Sequence, residues 1–246
     1  MKIKMIGSGS MTSNSNSACY LVDDKILIDT PNGIEKAMLR NNYDISDLDA
    51  ILITHFHADH YFDLPFVLLN IFNKTKRDFS KKLYIICCDE FKSNIKSLIE
   101  LSNFKSFEEI KEKLNIEIIG VKNRTNIDFI SNDYTLECVP VKHMDFSYGY
   151  VISENNTNKK VGFSGDSSMC NGVKDIVKRS NISFCDMSLS IGNESHMGID
   201  NIKELLKENE GKSIIATHLR EETKKEALDL NINNLIIGKD GFEINI

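Results

Sequence analysis

The amino-acid sequence predicts an α/β protein of the α+β kind, a four-layer αββα sandwich in which two packed β-sheets lie between outer helices. Strand patterns come first, a helical region and further strands follow, and helices then alternate with strands, an order that suits two packed sheets. Several apolar runs, such as residues 50–53, lack alternation and are typical of strands buried on both faces. No repeat or linker divides the chain, so we expect residues 1–246 to form one domain.

The elements of the first half follow from local patterns. Short apolar or alternating runs predict strands at 2–6, 19–22, 25–29, 50–53 and 83–87. Apolar residues at helical spacing predict helices at 33–39, 62–69 and 90–114, the last broken near residues 102–103. The glycine–serine segment 7–10 is expected to be a tight turn. The alternative, a phosphate cradle, is disfavoured because neither GxxxxGKS nor GxGxxG is present.

The second half is read in the same way. Residues 116–121, 127–130 and 134–141 are expected to be successive strands of an antiparallel sheet, and 146–153 pairs with 160–163 as a hairpin. Helices are predicted at 173–179, 200–209 and 221–228, and they alternate with strands at 182–189 and 213–217. The last two strands, 235–237 and 242–244, are expected to pair across residues 239–241.

Composition sets limits on partners and location. The 246 residues are 41% hydrophobic and carry a net charge of −6, which argues against a protein whose main task is to coat nucleic acid. No stable nucleic-acid partner is therefore expected. The six cysteines include no CxxC pair and lie mostly in apolar runs, which favours reduced thiols. The alternating N-terminus does not resemble a signal peptide, and no apolar run reaches the ~20 residues of a membrane helix. We therefore expect a cytoplasmic protein with no membrane partner.

A cluster of metal-ligating residue types follows the apolar run 50–53. His55, His57, Asp59 and His60 lie within six residues. Alternate residues of an extended segment point to the same side, so the first two histidines can share one metal ion, and the last two residues can converge on a second point after a turn. The alternative is a solvated polar loop, but three histidines at ligand spacing favour a metal site.

The other three histidines extend this pattern. His143, His196 and His218 each follow, or lie shortly after, a predicted apolar strand. A single histidine at a strand end is usually structural. All six in such positions together favour one shared site.

The motif HxHxDH after an apolar strand resembles the signature of the metallo-β-lactamase fold superfamily. The resemblance extends to Gly7-Ser8-Gly9, Leu27-Ile28-Asp29, Ser164-Gly165-Asp166 and Thr217-His218-Leu219. It implies the αββα fold and two divalent metal ions, zinc first, with manganese or iron as alternatives. By this resemblance, one metal is bound by His55, His57 and His143, and the other by Asp59, His60 and His218, with Asp166 bridging them. Such a pair can share a hydroxide and neutralise charge on the attacked group, and Asp59 can also orient or deprotonate that water.

His196 distinguishes among the chemistries of this superfamily. The sequence His196-Met197-Gly198, then a helix and a strand that ends in His218, resembles the branch of ribonuclease Z and small phosphodiesterases. The resemblance implies that His196 is a general acid and that Asp186 orients it. The alternative is that His196 caps the following helix. Lys142, Ser147, Tyr148 and Tyr150, which flank His143, are candidate pocket residues.

The predicted function is therefore a metal-dependent hydrolase that acts on a small or nucleotide-like phosphodiester. Residues 61–83 form a short segment without the glycine-rich basic arm that ribonuclease Z uses to hold tRNA, so tRNA processing is disfavoured. A lactone, thioester or other carboxylic-ester hydrolase of the same fold is the second hypothesis. A non-catalytic metal-binding or interaction protein is the third, with a redox di-iron protein as its variant. The resemblance also allows a homodimer.

Overall fold

Seven strands form the first sheet of the computed structural model, which describes residues 1–74, 76–131 and 133–246. In spatial order they are β14 (Phe242–Asn245), β1 (Lys2–Gly7), β2 (Cys19–Val22), β3 (Ile26–Ile28), β4 (Ala50–Leu52), β5 (Leu83–Cys88) and β6 (Ile116–Val121). The three pairs from β14 to β3 are antiparallel, and the three from β3 to β6 are parallel.

The second sheet repeats this plan. In spatial order it contains β13 (Leu235–Ile237), β12 (Ser213–Thr217), β11 (Ile182–Asp186), β10 (Lys160–Phe163), β9 (Tyr148–Glu154), β8 (Tyr134–Pro140) and β7 (Thr125–Ser131). The pairs from β7 to β10 are antiparallel and those from β10 to β13 are parallel. Strands β8, β10, β11 and β12 consequently run in one direction, and their carboxyl ends meet at one edge.

Helices cover the outer face of each sheet. On the first sheet they are α1 (Ile34–Arg40), α3 (Leu64–Asn73), α4 (Lys92–Ser102) and α5 (Phe107–Lys113). On the second they are α6 (Asn171–Arg179), α7 (Ile199–Glu208) and α8 (Glu221–Leu230). The short helix α2 (Ala58–Tyr61) lies within the histidine cluster.

The inner faces of the sheets share a buried apolar core. At its centre the rings of Phe163 and Phe184 stack with centroids 5.0 Å apart, and Tyr20 of the first sheet packs 4.9 and 5.1 Å from them. The Tyr20 hydroxyl is satisfied because it donates to Thr217 Oγ1 at 2.6 Å. The αββα sandwich predicted from the sequence is confirmed.

Three local predictions are wrong. Strand β6 does not begin the antiparallel sheet but extends the first sheet in parallel beside β5. Strands β13 and β14 do not pair with each other, because β13 lies beside β12 in the second sheet and β14 beside β1 in the first. In both cases the chain changes sheets, and an apolar strand pattern carries no information about its partner.

The third error concerns the glycine–serine segment. Gly9 forms isolated bridges with Ser17 and Leu219 rather than a tight turn, and the chain turns later, where Ser13 N donates to Ser10 O at 3.1 Å. Asp240 secures this segment by accepting hydrogen bonds from the backbone and the hydroxyl of Ser8 at 3.0 and 2.8 Å. The segment therefore connects the two sheets.

None of the helices within the described ranges combines the length and the apolar character that crossing a bilayer requires. All six cysteines are free thiols, and five of them are buried.

Candidate active site

The predicted site residues lie beyond the carboxyl ends of strands, where open α/β sheets commonly bind ligands. Seven residues were predicted as metal ligands: His55, His57, Asp59, His60, His143, Asp166 and His218. The structure brings all of them together. Each belongs to at least one group of three whose donor atoms all lie within 4.8 Å of one another.

Backbone conformation helps to aim these residues. Asp29 directly follows β3 with φ 59°, and His218 directly follows β12 with φ 53°. Gly165, next to Asp166, has φ 59°. Left-handed residues other than glycine are uncommon and concentrate at functional sites, where the surrounding structure holds them. The strand ends are therefore turned sharply into the cluster.

His55, His57 and His143 form the first ligand group. His57 Nδ1 lies 3.0 Å from His55 Nε2 and 3.1 Å from His143 Nε2. In a tetrahedral site with metal–nitrogen bonds of about 2.0–2.1 Å, neighbouring nitrogens lie about 3.3 Å apart. Asp166 Oδ2 lies 3.9 Å from the Nε2 atoms of both His55 and His143. The three nitrogens are thus spaced for one divalent cation beside a carboxylate.

Asp59, His60 and His218 form the second group. Asp59 Oδ2 is 3.8 Å from the Nε2 atoms of His60 and His218. Asp166 Oδ2 is also close to these nitrogens, at 3.4 Å from His60 and 3.1 Å from His218. A single oxygen of Asp166 therefore faces both groups, which suits a bridging ligand.

On the side of the first sheet, Asp29 fixes the ring orientations. It accepts hydrogen bonds from the backbone and the hydroxyl of Thr54, both at 2.8 Å, and contacts His60 Nδ1 at 2.8 Å. Because the Thr54 hydroxyl donates to Asp29, it accepts from His55 Nδ1 at 3.1 Å. We therefore assign the ring protons of His55 and His60 to Nδ1, which leaves both Nε2 lone pairs directed into the cluster.

On the side of the second sheet, a carbonyl and a hydroxyl have the same role. His143 Nδ1 donates to the carbonyl of Ser195 at 2.8 Å. His218 Nδ1 contacts Ser188 Oγ at 2.7 Å, and this hydroxyl donates to Asp186 Oδ1 at 2.6 Å. The Nε2 atoms of His143 and His218 are therefore acceptors that face the cluster.

Two of these nitrogens lack a hydrogen-bond partner among the described residues, although Asp166 lies near both. The Nε2 atoms of His60 and His218 are buried and have no hydrogen bond to any described residue. A buried polar atom without a partner is costly, and native structures satisfy most of them. A divalent cation would satisfy both atoms, so the donor set fits the metal ions that the sequence predicts.

The electrostatics of the cluster also favour cations. Burial alone would lower the pKa of His60, but Asp166 and Asp29 raise it well above its usual value. The pKa of Asp166 is held well below its usual range, against the effect of burial, by His218 and His60. Burial and the neighbouring His60 lower the pKa of His55 well below its usual value. The carboxylates of the cluster therefore favour positive charge at this position, which a bound cation would supply.

His196 lies beside the second group and is held by Asp186. His196 Nδ1 is 2.8 Å from Asp186 Oδ2, and its ring stacks on His218 with centroids 5.2 Å apart. Although burial acts in the opposite direction, the hydrogen bond with Asp186 raises the pKa of His196. His196 does not cap α7, because the residue at that N-cap is Gly198. The predicted contact between Asp186 and His196 is therefore present, and the capping alternative is wrong.

A small cleft opens over the cluster. Its volume is about 170 Å³ and its lining consists of Ser10, Met11, Thr12, His57, Asp59, Asp166, His196, His218 and Arg220. Four of the nine, Ser10 to Thr12 and Arg220, were not predicted from the sequence. The sequence contains weak signals for two of them. Arg220 follows His218 by two residues, and Ser10 ends the segment 7–10, for which a phosphate cradle is the alternative interpretation. The link between them is a long-range contact that neither stretch indicates alone.

The pocket residues suggested beside His143 have other roles. Lys142 is exposed, whereas Ser147, Tyr148 and Tyr150 are buried. The Tyr150 hydroxyl donates to the carbonyl of Ile53 at 2.6 Å, which joins the two sheets. None of the four lines the cleft in the described part of the chain.

Comparison with known proteins places this site in a family. The model of the family described as "Anti-Pycsar protein Apyc1" matches residues 1–239. The chain belongs to this family. The matched residues include every predicted ligand and the pair formed by Asp186 and His196.

Curated relatives of this Apyc1 family member include ribonuclease Z from two bacteria. The Clostridium acetobutylicum protein is 28% identical over 169 residues, 65% of this chain and 52% of the relative. The Staphylococcus saprophyticus protein is 28% identical over 142 residues, 56% of this chain and 42% of the relative. The chain thus spans about half the length of the curated relatives it matches.

Solved structures show the fold over the whole chain. Human tRNase Z, short form, aligns with a TM-score of 0.77 and 15% identity, covering 100% of this chain and 99% of that one. The metallo-β-lactamase fold protein YhfI from Bacillus subtilis aligns with a TM-score of 0.74 and 19% identity, covering 99% and 98%. A diphosphatase of the PhnP family gives 0.71 and 18%, covering 100% and 97%. The resemblance to the metallo-β-lactamase fold is therefore confirmed.

Proposed function

We propose that this protein is a metal-dependent phosphodiesterase whose substrate is a small or nucleotide-like phosphodiester. The observation that carries the proposal is the contact between Asp186 and His196 beside the seven-residue ligand cluster. A carboxylate–imidazole pair of this kind suits protonation of a leaving oxygen, which assists phosphodiester cleavage when the leaving group is a basic alkoxide. The names of the relatives, ribonuclease Z and a PhnP-family diphosphatase, agree with this chemistry.

The proposed metal ligands are those predicted from the sequence. His55, His57 and His143 would hold one divalent ion, and Asp59, His60 and His218 the other, with Asp166 between them. Two bound ions would supply a water of lowered pKa and neutralise charge on the phosphate. Imidazole and carboxylate suit zinc, and also manganese or iron.

Side chains of the protein are proposed to position the attacking water and to transfer the proton. Asp59 Oδ2 faces the cleft and is proposed to orient the attacking water. His196, whose pKa is raised by its hydrogen bond with Asp186, would donate a proton to the leaving oxygen. Asp186 accepts three further hydrogen bonds, from Ser167 N and from the backbone and hydroxyl of Ser188. A carboxylate held in this way keeps His196 in one orientation and one tautomer.

The dimensions of the cleft support a small substrate. Its volume of about 170 Å³ is below the roughly 300–1,000 Å³ of pockets that enclose a drug-sized ligand. One phosphodiester group and part of its substituent fit inside, and the rest would extend past Met11, which is 73% exposed. The net charge of −6 also disfavours a long polyanion.

Hydrolysis of competing substrates tests the proposal. Protein supplied with Zn²⁺ or Mn²⁺ is assayed on bis(p-nitrophenyl) phosphate, a lactone and a thioester, and its metal content is measured by elemental analysis. We expect about two ions per chain and turnover of the phosphodiester, which a chelator abolishes. Turnover of the lactone or thioester alone would favour the second hypothesis. No hydrolysis by the metal-loaded protein would favour the third hypothesis, a non-catalytic metal-binding or interaction protein.

The cellular location and the domain organisation of the protein are also proposals. Six free thiols, five of them buried, suit a reducing compartment, so we propose a cytoplasmic protein. We further propose that residues 1–246 act as one domain, because both sheets contribute to one buried core. Light scattering would determine whether it forms the homodimer that the resemblance allows.

A further inference from the structure

Arg220 is a cation on the rim of the cleft, and no carboxylate of the described residues forms an ion pair with it. Its side chain is exposed, lines the cleft, and forms no hydrogen bond or ion pair with the residues that the structure describes. Three of the other four arginines are engaged by protein groups. Arg77 donates to the carbonyls of Ser46 and Leu48, and Arg124 and Arg179 both bind Glu137. The guanidinium of Arg220 is therefore available to a ligand.

Backbone contacts fix the position of Arg220 relative to Ser10. Leu219 N donates to the carbonyl of Ser8 at 3.1 Å, and Ser10 N donates to the carbonyl of Leu219 at 3.1 Å. These bonds join the end of β12 to the loop after β1. Ser10 and Arg220 consequently lie on one wall of the cleft, although 210 positions of sequence separate them (220 minus 10).

Ser10 supplies a second, independent indication of a ligand. It is 5% exposed, lines the cleft, and its hydroxyl has no hydrogen-bond partner among the described residues. A buried hydroxyl without a partner is unfavourable unless something else satisfies it. A guanidinium and a hydroxyl that line the same cleft match the oxygens of a phosphate, which accept charge-assisted hydrogen bonds.

We propose that Arg220 and Ser10 bind a non-bridging oxygen of the substrate phosphate and so select anionic phosphodiesters over neutral esters. This inference rests on the proposed function and deepens it. The two carboxylates of the cleft, Asp59 and Asp166, would ligate the proposed metal ions, so Arg220 adds a permanent positive charge at the rim that no metal ligand supplies. Arg220 is the one lysine or arginine among the residues recorded along the cleft.

The test compares Arg220→Gln, Arg220→Lys and Ser10→Ala with Arg40→Gln. Arg40 is a matched control because it is also exposed, but it ends α1 and lies outside the cleft. With bis(p-nitrophenyl) phosphate we expect Arg220→Gln to raise KM about 10- to 100-fold, the range for a lost charge-assisted hydrogen bond, while kcat changes by less than about threefold. Arg220→Lys should be intermediate, and Ser10→Ala should raise KM by about two- to fivefold.

Other results would overturn the inference. Arg220→Gln should retain the metal content and melting temperature of the unmodified protein. A KM for Arg220→Gln within twofold of that for Arg40→Gln, or a loss in kcat alone, contradicts the assignment. If the unmodified protein turns over no phosphodiester, the proposed function fails. The Kd of bis(p-nitrophenyl) phosphate measured by calorimetry then decides the inference, which predicts weaker binding by Arg220→Gln but not by Arg40→Gln.

Discussion

The two sheets contribute to the site in different ways. The first sheet provides His55, His57, Asp59 and His60 from one six-residue segment after β4. The second sheet provides its residues from the ends of four strands, or from the loops that follow them, with Asp186 and His196 both contributed by β11 and its loop: His143, Asp166, Asp186, His196 and His218. One half of the site is therefore local in sequence, and the other half exists only because β8, β10, β11 and β12 end at a common edge.

Despite this difference, each half has one buried carboxylate that organises its imidazoles. Asp29 holds His60 directly and His55 through Thr54. Asp186 holds His196 directly, and it reaches His218 through Ser188. The parallel suggests a division of labour, in which the first carboxylate supports metal binding and the second supports proton transfer.

The largest effect is expected where the two halves meet. Asp166→Asn replaces the carboxylate that faces both ligand groups with a neutral amide. We expect kcat/KM to fall roughly 10³-fold or more, because a bound metal ion supplies several kcal/mol of transition-state stabilisation. Elemental analysis should show fewer ions per chain. Asp128→Asn, an exposed position on β7, is the control and should change neither quantity. Full metal content and activity in Asp166→Asn would show that the halves bind independently.

The next prediction concerns His196, the proposed proton donor of the second half. His196→Ala and His196→Gln should each lower kcat about 10²- to 10⁴-fold, the usual contribution of a general acid. Metal content should stay unchanged, since His196 is not among the proposed ligands. Glutamine keeps a hydrogen-bonding group but cannot titrate, so equal losses in both variants identify proton transfer. Unchanged phosphodiester turnover would remove the main support for a phosphodiesterase.

Substitution of the two organising carboxylates tests the division of labour directly. Asp29→Asn should weaken metal binding about 10- to 100-fold, the usual effect of losing a residue behind a ligand. Asp186→Asn should weaken it less. Because Asp186 raises the pKa of His196, its loss should lower that pKa and move the alkaline limb of the kcat profile to lower pH. The comparison fails if both variants give the same metal titrations and the same pH profiles.

The same contrast explains what the sequence could predict. HxHxDH was recognisable because its ligands are adjacent, and the strand patterns before the remaining histidines indicated where a sheet edge would bring them. Arg220 and Ser10 were missed because their proximity depends on bridges between Gly9, Ser10 and Leu219. Local residue patterns signal a strand or a loop, but the partner across 200 residues is decided by tertiary packing.

The errors in the fold have the same cause. Most strands and helices lie where their patterns predict, and the failures are at β6, β13 and β14, where the chain changes sheets. The turn at residues 239–241 reads as a hairpin, yet Asp240 binds Ser8 and each flanking strand joins a different sheet. Strand existence is a local property, whereas strand pairing is not.

The smallest predicted effect is a difference in the pH dependence of stability between the outer helices of the two sheets. On the first sheet, Glu35 of α1 accepts a hydrogen bond from Asn70 of α3 at 2.6 Å, while its other oxygen is buried without a partner among the described residues. On the second sheet, Lys174 of α6 binds Glu204 and Glu208 of α7 at the surface. Burial raises the pKa of Glu35 to about 7, whereas solvent screens the surface pairs.

The sign of the pH effect follows from linkage. Glu35 binds its proton more tightly in the folded chain than in the unfolded chain, so its contribution to stability is greatest below the unfolded pKa of about 4.5 and is lost as pH rises through about 7. Glu35→Gln should remove this dependence. Relative to the unmodified protein, the free energy of unfolding of the variant should therefore rise by about 1–2 kcal/mol as pH increases from 5 to 8. Denaturant titrations at both pH values measure the difference. Lys174→Gln, which disrupts the exposed pairs, should show no such rise relative to the unmodified protein, because solvent screens these pairs. A rise of equal size in both variants would mean that buried and exposed contacts between the outer helices respond alike to pH. The two sheets would then not differ in this respect.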